Sequence, residues 1–234
     1  ENNYNLIMLD IDSKNLKRIQ FKLKQKFKHL NIFSYKIDIS SEKKIKNLER
    51  DLSKKKLFIK ALINNACIDP KPNKIKKKQT LLKTWDRELD VGLKGSYLLI
   101  EYFSKSMIKN NRGCIINIAS DLSVIAPDQL LYEKIYKNFE KPVTYSVIKH
   151  GLLGITKYYA AKYGKYNITC NAISPVGVFN NQNKKFVKRL KKRIPMNRMA
   201  NKEDIKYSIN FLLSKKQKFI TGHNLVIDGG RTII

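Results

Sequence analysis

The sequence predicts an α/β fold, a doubly wound parallel sheet with helices on both faces, spanning residues 1–234 as a single domain. Three observations carry this. Apolar runs of strand length, such as residues 114–119 and 168–173, lack the polar alternation of a sheet with one wet face. Amphipathic stretches of helix length separate them. The chain has 234 residues, 42% of them apolar, enough for one sizeable core, and it shows no internal repeat and no linker.

Each element follows in order. Residues 4–10 read as a strand ending on Asp10, and Ser13 is expected to cap a helix running to about His29. Residues 32–37 form a second strand and 41–52 a second helix. Residues 57–64 read as a third strand, ending in Asn64-Asn65-Ala66-Cys67. The basic stretch 71–78 reads as a solvated surface turn. Residues 81–108 read as one long helix or two abutting ones, and 114–119 as a strand leading into Ser120. Residues 143–163 make a strong helix. Then come a strand over 168–173, a helix over 202–213 and a short strand over 225–227.

Charge and composition narrow the partners. The net charge is +29, which admits nucleic acid or a phosphorylated substrate as partner. Lysine outnumbers arginine 40 to 8 and is spread along the whole chain. Base and phosphate readers lean on arginine, so the expectation is a lysine-covered solvent surface and no nucleic-acid partner. No apolar run approaches about 18 residues, so no membrane-spanning helix is expected. No charged-then-apolar leader follows Glu1. Cys67, Cys114 and Cys170 are far apart and form no metal-binding pattern. They read as free thiols, and a reducing, cytoplasmic location is expected.

The chemistry centres on Tyr145-Ser-Val-Ile-Lys149. Four residues apart on a helix, the phenol and the ammonium share one face. A nearby cation favours phenolate and can bring proton transfer toward neutral pH. Spacing alone is weak: with 12 tyrosines and this lysine content, chance yields about two such pairs. The second is Tyr158/Lys162, which lies about 220° around the helix from the first. Context separates them. Ser120 ends a strand, where ligands of such sheets bind, as do Asn64 and Ser174-Pro175-Val176-Gly177. Asn64 is expected to brace neighbouring strands, and Asn117 reads as a structural residue at a strand end.

With these motifs in this order, the chain resembles the short-chain dehydrogenase/reductase family, whose fold is Rossmann-like, over essentially its whole length. The resemblance implies an oxidoreductase that interconverts a secondary alcohol and a ketone. Tyr145 would be the catalytic acid/base and Lys149 its electrostatic partner, also holding the nicotinamide ribose. Ser120 would hydrogen-bond the substrate oxygen. Asp10 would accept the adenosine ribose hydroxyls; Ile11 follows it rather than an arginine, so NAD is expected over NADP. Asp38 and Ile39 would lie beside adenine. Asn65, Ala66 and Cys67 would flank the cofactor together with Asn64, and Pro175 to Val178 would pack on the nicotinamide. Ser120 and Tyr145 are 25 residues apart, about twice the family's usual interval. That segment, with Ala126-Pro127-Asp128, and the Pro195-x-x-Arg198-Met199 pattern resemble a branch tied to flagellin modification and nonulosonic-acid sugars. The implied partners are a small-molecule substrate, possibly an anionic sugar, and further copies of the chain in a homodimer or homotetramer.

Three departures qualify the resemblance. The family's first strand and Gly-rich turn do not occur in these residues; they are expected on a βα unit of about 30 residues ahead of Glu1. Gly92 stands where the family carries a water-holding asparagine. Val176 and Cys67 replace glycines and are expected to narrow the space beside the cofactor. These departures, with the high charge, leave open a catalytically impaired dinucleotide-sensing or nucleic-acid-binding module. Within the enzyme class, a 3-oxoacyl thioester reductase is the other reading. The basic stretch 184–193 has an apolar face at helical spacing; it reads as a solvated face or as a holder of a substrate anion.

Overall fold

Every strand pairing is parallel, because each crossover carries a helix or a long excursion between strands. The computed structural model describes residues 4–69, 81–137 and 139–234; the basic stretch 71–78 lies outside the described residues. Strand β1 (Leu6–Asp10) pairs with β2 (Ile32–Lys36). Strands β3 (Ala61–Asn64), β4 (Gly113–Ile118), β5 (Ile168–Pro175) and β6 (Asn224–Ile227) form a second ladder in that order. Among the described residues no ladder joins β1 to β3. The expected sheet therefore stands in two hydrogen-bonded pieces. A shared core holds them: Ile45, Leu48, Leu98 and Leu99 pack with Ile7 and Leu9 of β1 and Leu62 of β3.

Burial explains the apolar runs. The first seven residues of β5 are buried, and Ile115 and Ile116 of β4 are fully so. β1 is only partly covered along its length. The deepest part of the molecule is thus the β4–β5 pair, covered by helices on both faces.

The helices are α1 (Ser13–Lys26), α2 (Glu42–Lys54), α3 (Leu81–Leu89), α4 (Gly95–Lys109), α5 (Val143–Tyr163), α6 (Lys184–Lys191) and α7 (Lys202–Leu213). Three expectations shift. Asp12, not Ser13, caps α1, because its carboxylate accepts the Asn15 amide at 3.0 Å. That helix ends at Lys26, short of His29. The third strand begins at Ala61 rather than residue 57, since the Ile59 amide donates to the Ser106 hydroxyl of α4 at 3.3 Å.

The long helix over 81–109 is continuous but carries a π turn at Asp90–Lys94. Such bulges mark places where a neighbour must come close. Gly92 sits in this turn, and a Cβ there would lie 2.7 Å from Ile148 Cγ2. A Cβ on Gly95 would lie 2.8 Å from Ile39 Cδ1. The glycine at 92 is therefore steric in origin: Ile148 of α5 fills the volume that a side chain at 92 would need.

That contact yields a test. Gly92→Asn overpacks this contact and is expected to lower stability by about 1–3 kcal/mol in urea unfolding. In an Ile148→Ala background the same change is expected to cost at least about 1 kcal/mol less. Equal costs in both backgrounds would show that Ile148 does not dictate the glycine.

Candidate active site

The site begins with an asparagine node between strands and helix. Asn64 Nδ2 donates to Asn117 Oδ1 at 2.8 Å, and Asn117 Nδ2 donates to Thr156 Oγ1 at 2.8 Å. Thr156 in turn donates to the Leu152 carbonyl within α5. Asn64 braces its neighbouring strand, as expected, and Asn117, expected only as a structural strand-end residue, ties that strand to α5. The node locks β3, β4 and α5 together and so sets where α5 side chains stand against the end of β4. Asn64 Oδ1 remains buried without a hydrogen-bond partner.

Parallel strands end on the same side. Within the first ladder Asp10 closes β1 and Asp38 follows β2; within the second, Asn65–Cys67 follow β3, Ser120 follows β4 and Pro175 closes β5. Tyr145 enters on the first turn of α5, and Lys149 follows one turn later. Lys149 is 4% exposed, and its Nζ donates to the Ile118 carbonyl at 2.7 Å. That nitrogen stands 5.5 Å from the Tyr145 ring centroid. Ser120 caps the turn after β4: it accepts the Leu122 amide and donates to Asp121 Oδ1 at 2.8 Å. Asp121 is itself buried and paired with Arg231 near the chain's end.

Electrostatics depart from the sequence expectation. Burial raises the Tyr145 phenol well above the ordinary tyrosine range, and the Asp69 charge adds to this, while the Ser120 hydroxyl acts against it. Burial also lowers Lys149, with Lys141 acting in the same direction and Cys67 and Asp69 opposing. In this state the site holds a protonated phenol. The expected push toward phenolate is outweighed by desolvation and a carboxylate.

The remaining predicted residues divide by what already holds them. Asp10 is exposed, and its Oδ1 accepts the Asp12 amide at 2.9 Å, leaving its other oxygen toward solvent. Asp38 is committed: Oδ1 accepts from the Ser40 amide and hydroxyl, and Oδ2 from Arg87 at 3.0 Å. Burial opposes its charge, but Ser40 and Arg87 hold the carboxyl below its usual range. Ile39 is buried against α4, so only its backbone can meet a ligand. Asn65 and Ala66 are exposed on the loop after β3. The Cys67 thiol is half-buried and pushed up by that burial. Pro175 closes β5, and Val178 bridges to Ala200. Val176 packs into a cluster with Leu131, Leu190 and Ile194, under α6.

That cluster also revises the basic stretch. Arg189 donates to the Leu130 and Glu133 carbonyls, and Arg193 to Asp128 at 2.8 Å. Tyr132 stacks near Phe186 at 5.4 Å. The arginines of α6 and its neighbour thus tie down the long Ser120–Tyr145 segment. Arg198 is bound to Asp204 through two hydrogen bonds. Tyr158 is exposed and away from Tyr145, as the helix geometry requires.

Sequence reading missed four contributors. Lys141 stands 3.7 Å from the Tyr145 ring centroid and pairs with Asp69. Asp121 and Arg231 back Ser120 across 110 residues. Only Asp121 carried a local signal, its place directly after Ser120; the others come together through the tertiary fold.

Comparison with known proteins fits this geometry. The sequence profile of the family described as enoyl-(acyl carrier protein) reductase matches residues 1–232. An NAD-dependent glycerol dehydrogenase of Listeria innocua is 32% identical over 203 residues, covering 84% of this chain and 74% of that protein. Post-translational flagellin modification protein A of Campylobacter coli is 29% identical over 225 residues, covering 96% and 87%. A short-chain dehydrogenase of Leptospira borgpetersenii, solved with bound NAD+, superposes with a TM-score of 0.80 at 26% identity, covering 97% of this chain and 92% of that one. With a profile match across nearly its whole length and this strand-edge geometry, the chain belongs to the short-chain dehydrogenase/reductase family of NAD(P)-linked oxidoreductases.

Proposed function

We propose that this protein is an NAD-linked dehydrogenase/reductase that interconverts a secondary alcohol and a ketone on a small polar carbohydrate or activated sugar. The observation that carries it is the Tyr145 phenol between Lys149 and Ser120 at the carboxyl edge of the sheet. NAD, when bound, supplies or takes the hydride. In this reading Asp10, exposed at the end of β1, accepts the ribose hydroxyls and repels a 2′-phosphate. Asn65, Ala66, Cys67, Pro175 and Val178 line the same edge, and Ile39 offers its backbone.

The chain's own residues handle the oxygen and its proton. In reduction Ser120 and Tyr145 hold the carbonyl oxygen, and Tyr145 gives its proton to the developing alkoxide. Lys149 spends one N–H on the Ile118 carbonyl and keeps its charge beside the phenol. Burial keeps the phenol protonated, the form that donates, so reduction is served at neutral pH. Oxidation needs the phenolate and is favoured as pH rises. The sugar or polyol assignment is supported by the glycerol dehydrogenase and flagellin-modification relatives. The acyl-carrier description of the family profile favours a second reading, a 3-oxoacyl thioester reductase. Exposed Tyr97 of α4 and Tyr158 of α5 suit a homodimer or homotetramer built through these helices.

Three outcomes test this. NAD reduction is expected with short polyols or sugar alcohols and not with acyl thioesters, and Tyr145→Phe should abolish it while leaving NAD binding intact; retained turnover would sink the assignment. Between pH 6 and 9, as an order-of-magnitude window, kcat/KM for oxidation should climb toward tenfold per unit while that for reduction stays flat. A shared optimum near neutrality would contradict a phenol held protonated by burial. Asp10→Ala should weaken NAD binding by roughly tenfold and relax discrimination against NADP, as read by fluorescence titration.

A further inference from the structure

A second lysine stands against the phenol, and it comes from the long segment between Ser120 and Tyr145. Lys141 precedes α5 by two residues. Its Nζ lies 3.7 Å from the Tyr145 ring centroid, nearer than Lys149 at 5.5 Å. Its side chain is only 9% exposed, and its ammonium pairs with Asp69 on the loop after β3. The backbone is fixed as well. The Gln129 side-chain amide donates to the Lys141 carbonyl at 3.0 Å and accepts the Lys141 amide at 2.9 Å. This is a built contact, held at three points, not a surface lysine lying where solvent leaves it.

The charge balance around the phenol gives that contact a purpose. Cys67 and Asp69 face it from the β3 loop, Ser120 and Asp121 from the end of β4, and Lys149 from α5. Farther out, Glu88 of α3 takes the Thr144 hydroxyl and Arg231 pairs with Asp121. Tyr132 lies in the same field of Asp69, Asp121 and Arg231. Asp69 disfavours phenolate, and an ammonium on the ring face offsets it. Gly92 supplies no side chain here, because Ile148 fills its space.

We propose that Lys141 is a positioning residue for Tyr145: clamped by Gln129 and Asp69, it fixes the phenol ring and keeps a second ammonium beside it while the proton moves. This rests on the reading of Tyr145 as the acid/base. The extra length between Ser120 and Tyr145 thereby serves the site directly, by carrying both Gln129 and Lys141. Lys141 neutralises Asp69 locally and, through its nearness to Lys149, makes that ammonium a readier proton donor.

The test compares Lys141→Met, Lys141→Arg and Gln129→Ala in the full chain, with Tyr145→Phe as reference. Fluorotyrosine labelling brings the phenol into an accessible range, and fluorine NMR follows it, the Tyr145 signal being the one lost in Tyr145→Phe. Lys141→Met is expected to move the Tyr145 midpoint up by about one pH unit, and the rising limb of the oxidation profile with it. Lys141→Arg should restore the native midpoint, and Gln129→Ala, which leaves both charges in place, should shift it by less. A native midpoint in Lys141→Met would overturn the proposal, as would equal shifts in the Met and Arg variants. An active Tyr145→Phe would instead overturn the acid/base reading. An inactive one beside a native-like Lys141→Met overturns only the part given to Lys141.

Discussion

Asn117 sits fully buried near the carboxyl end of β4 and must find partners for both ends of its amide. It finds them in Asn64 on β3 and Thr156 on α5. Leaving any of these groups unpaired in the interior costs about 1–3 kcal/mol, so the three elements hold one arrangement. Two consequences reach the active edge. The end of β4, carrying the Ile118 carbonyl and Ser120, is fixed relative to α5. Lys149, on the same face of α5 as Thr156 and two turns before it, then meets Ile118 at 2.7 Å. The same node leaves Asn64 Oδ1 buried with no hydrogen-bond partner among the described residues.

Around that fixed frame the site is set by a small number of desolvated charges. Burial pushes the phenol toward its neutral form and the Lys149 ammonium toward losing its proton. Asp69 and Lys141 act on both from the same side, and Asp121 with Arg231 backs Ser120 from the other. A phenol that keeps its proton until a substrate oxygen needs it suits a carbonyl reduction. The long segment after Ser120 is anchored by Arg189 and Arg193 and by the aromatic cluster around Tyr132. Within it, Gln129 holds the Lys141 backbone and Asp69 its ammonium against the ring.

Much of this was legible from the chain. The fully apolar runs of β4 and β5 announced strands buried on both faces, and Tyr145 and Lys149 share a helix face by spacing alone. Ser120 could be placed because a strand end is visible as the end of an apolar run. Local competition hid other features. Asp12 and Ser13 are both good caps, and only geometry decides between them. Residues 57–60 have strand composition, yet one amide goes to Ser106 instead of a ladder. Gly92 looked like a lost side chain until Ile148 was seen filling its space. Lys141–Asp69 and Asp121–Arg231 join residues 72 and 110 positions apart, and in a chain with 40 lysines no composition argument singles out one.

The central claim is that a hydride leaves an alcohol carbon while the proton of its oxygen passes to Tyr145. A deuterium placed on the carbinol carbon of whichever alcohol is oxidised reports on this most directly. The account predicts that the label is retained on the nicotinamide ring of the NADH formed, with a slowed rate for the labelled alcohol. Loss of the label to water would contradict it, since that outcome requires a proton, not a hydride, to leave the carbon.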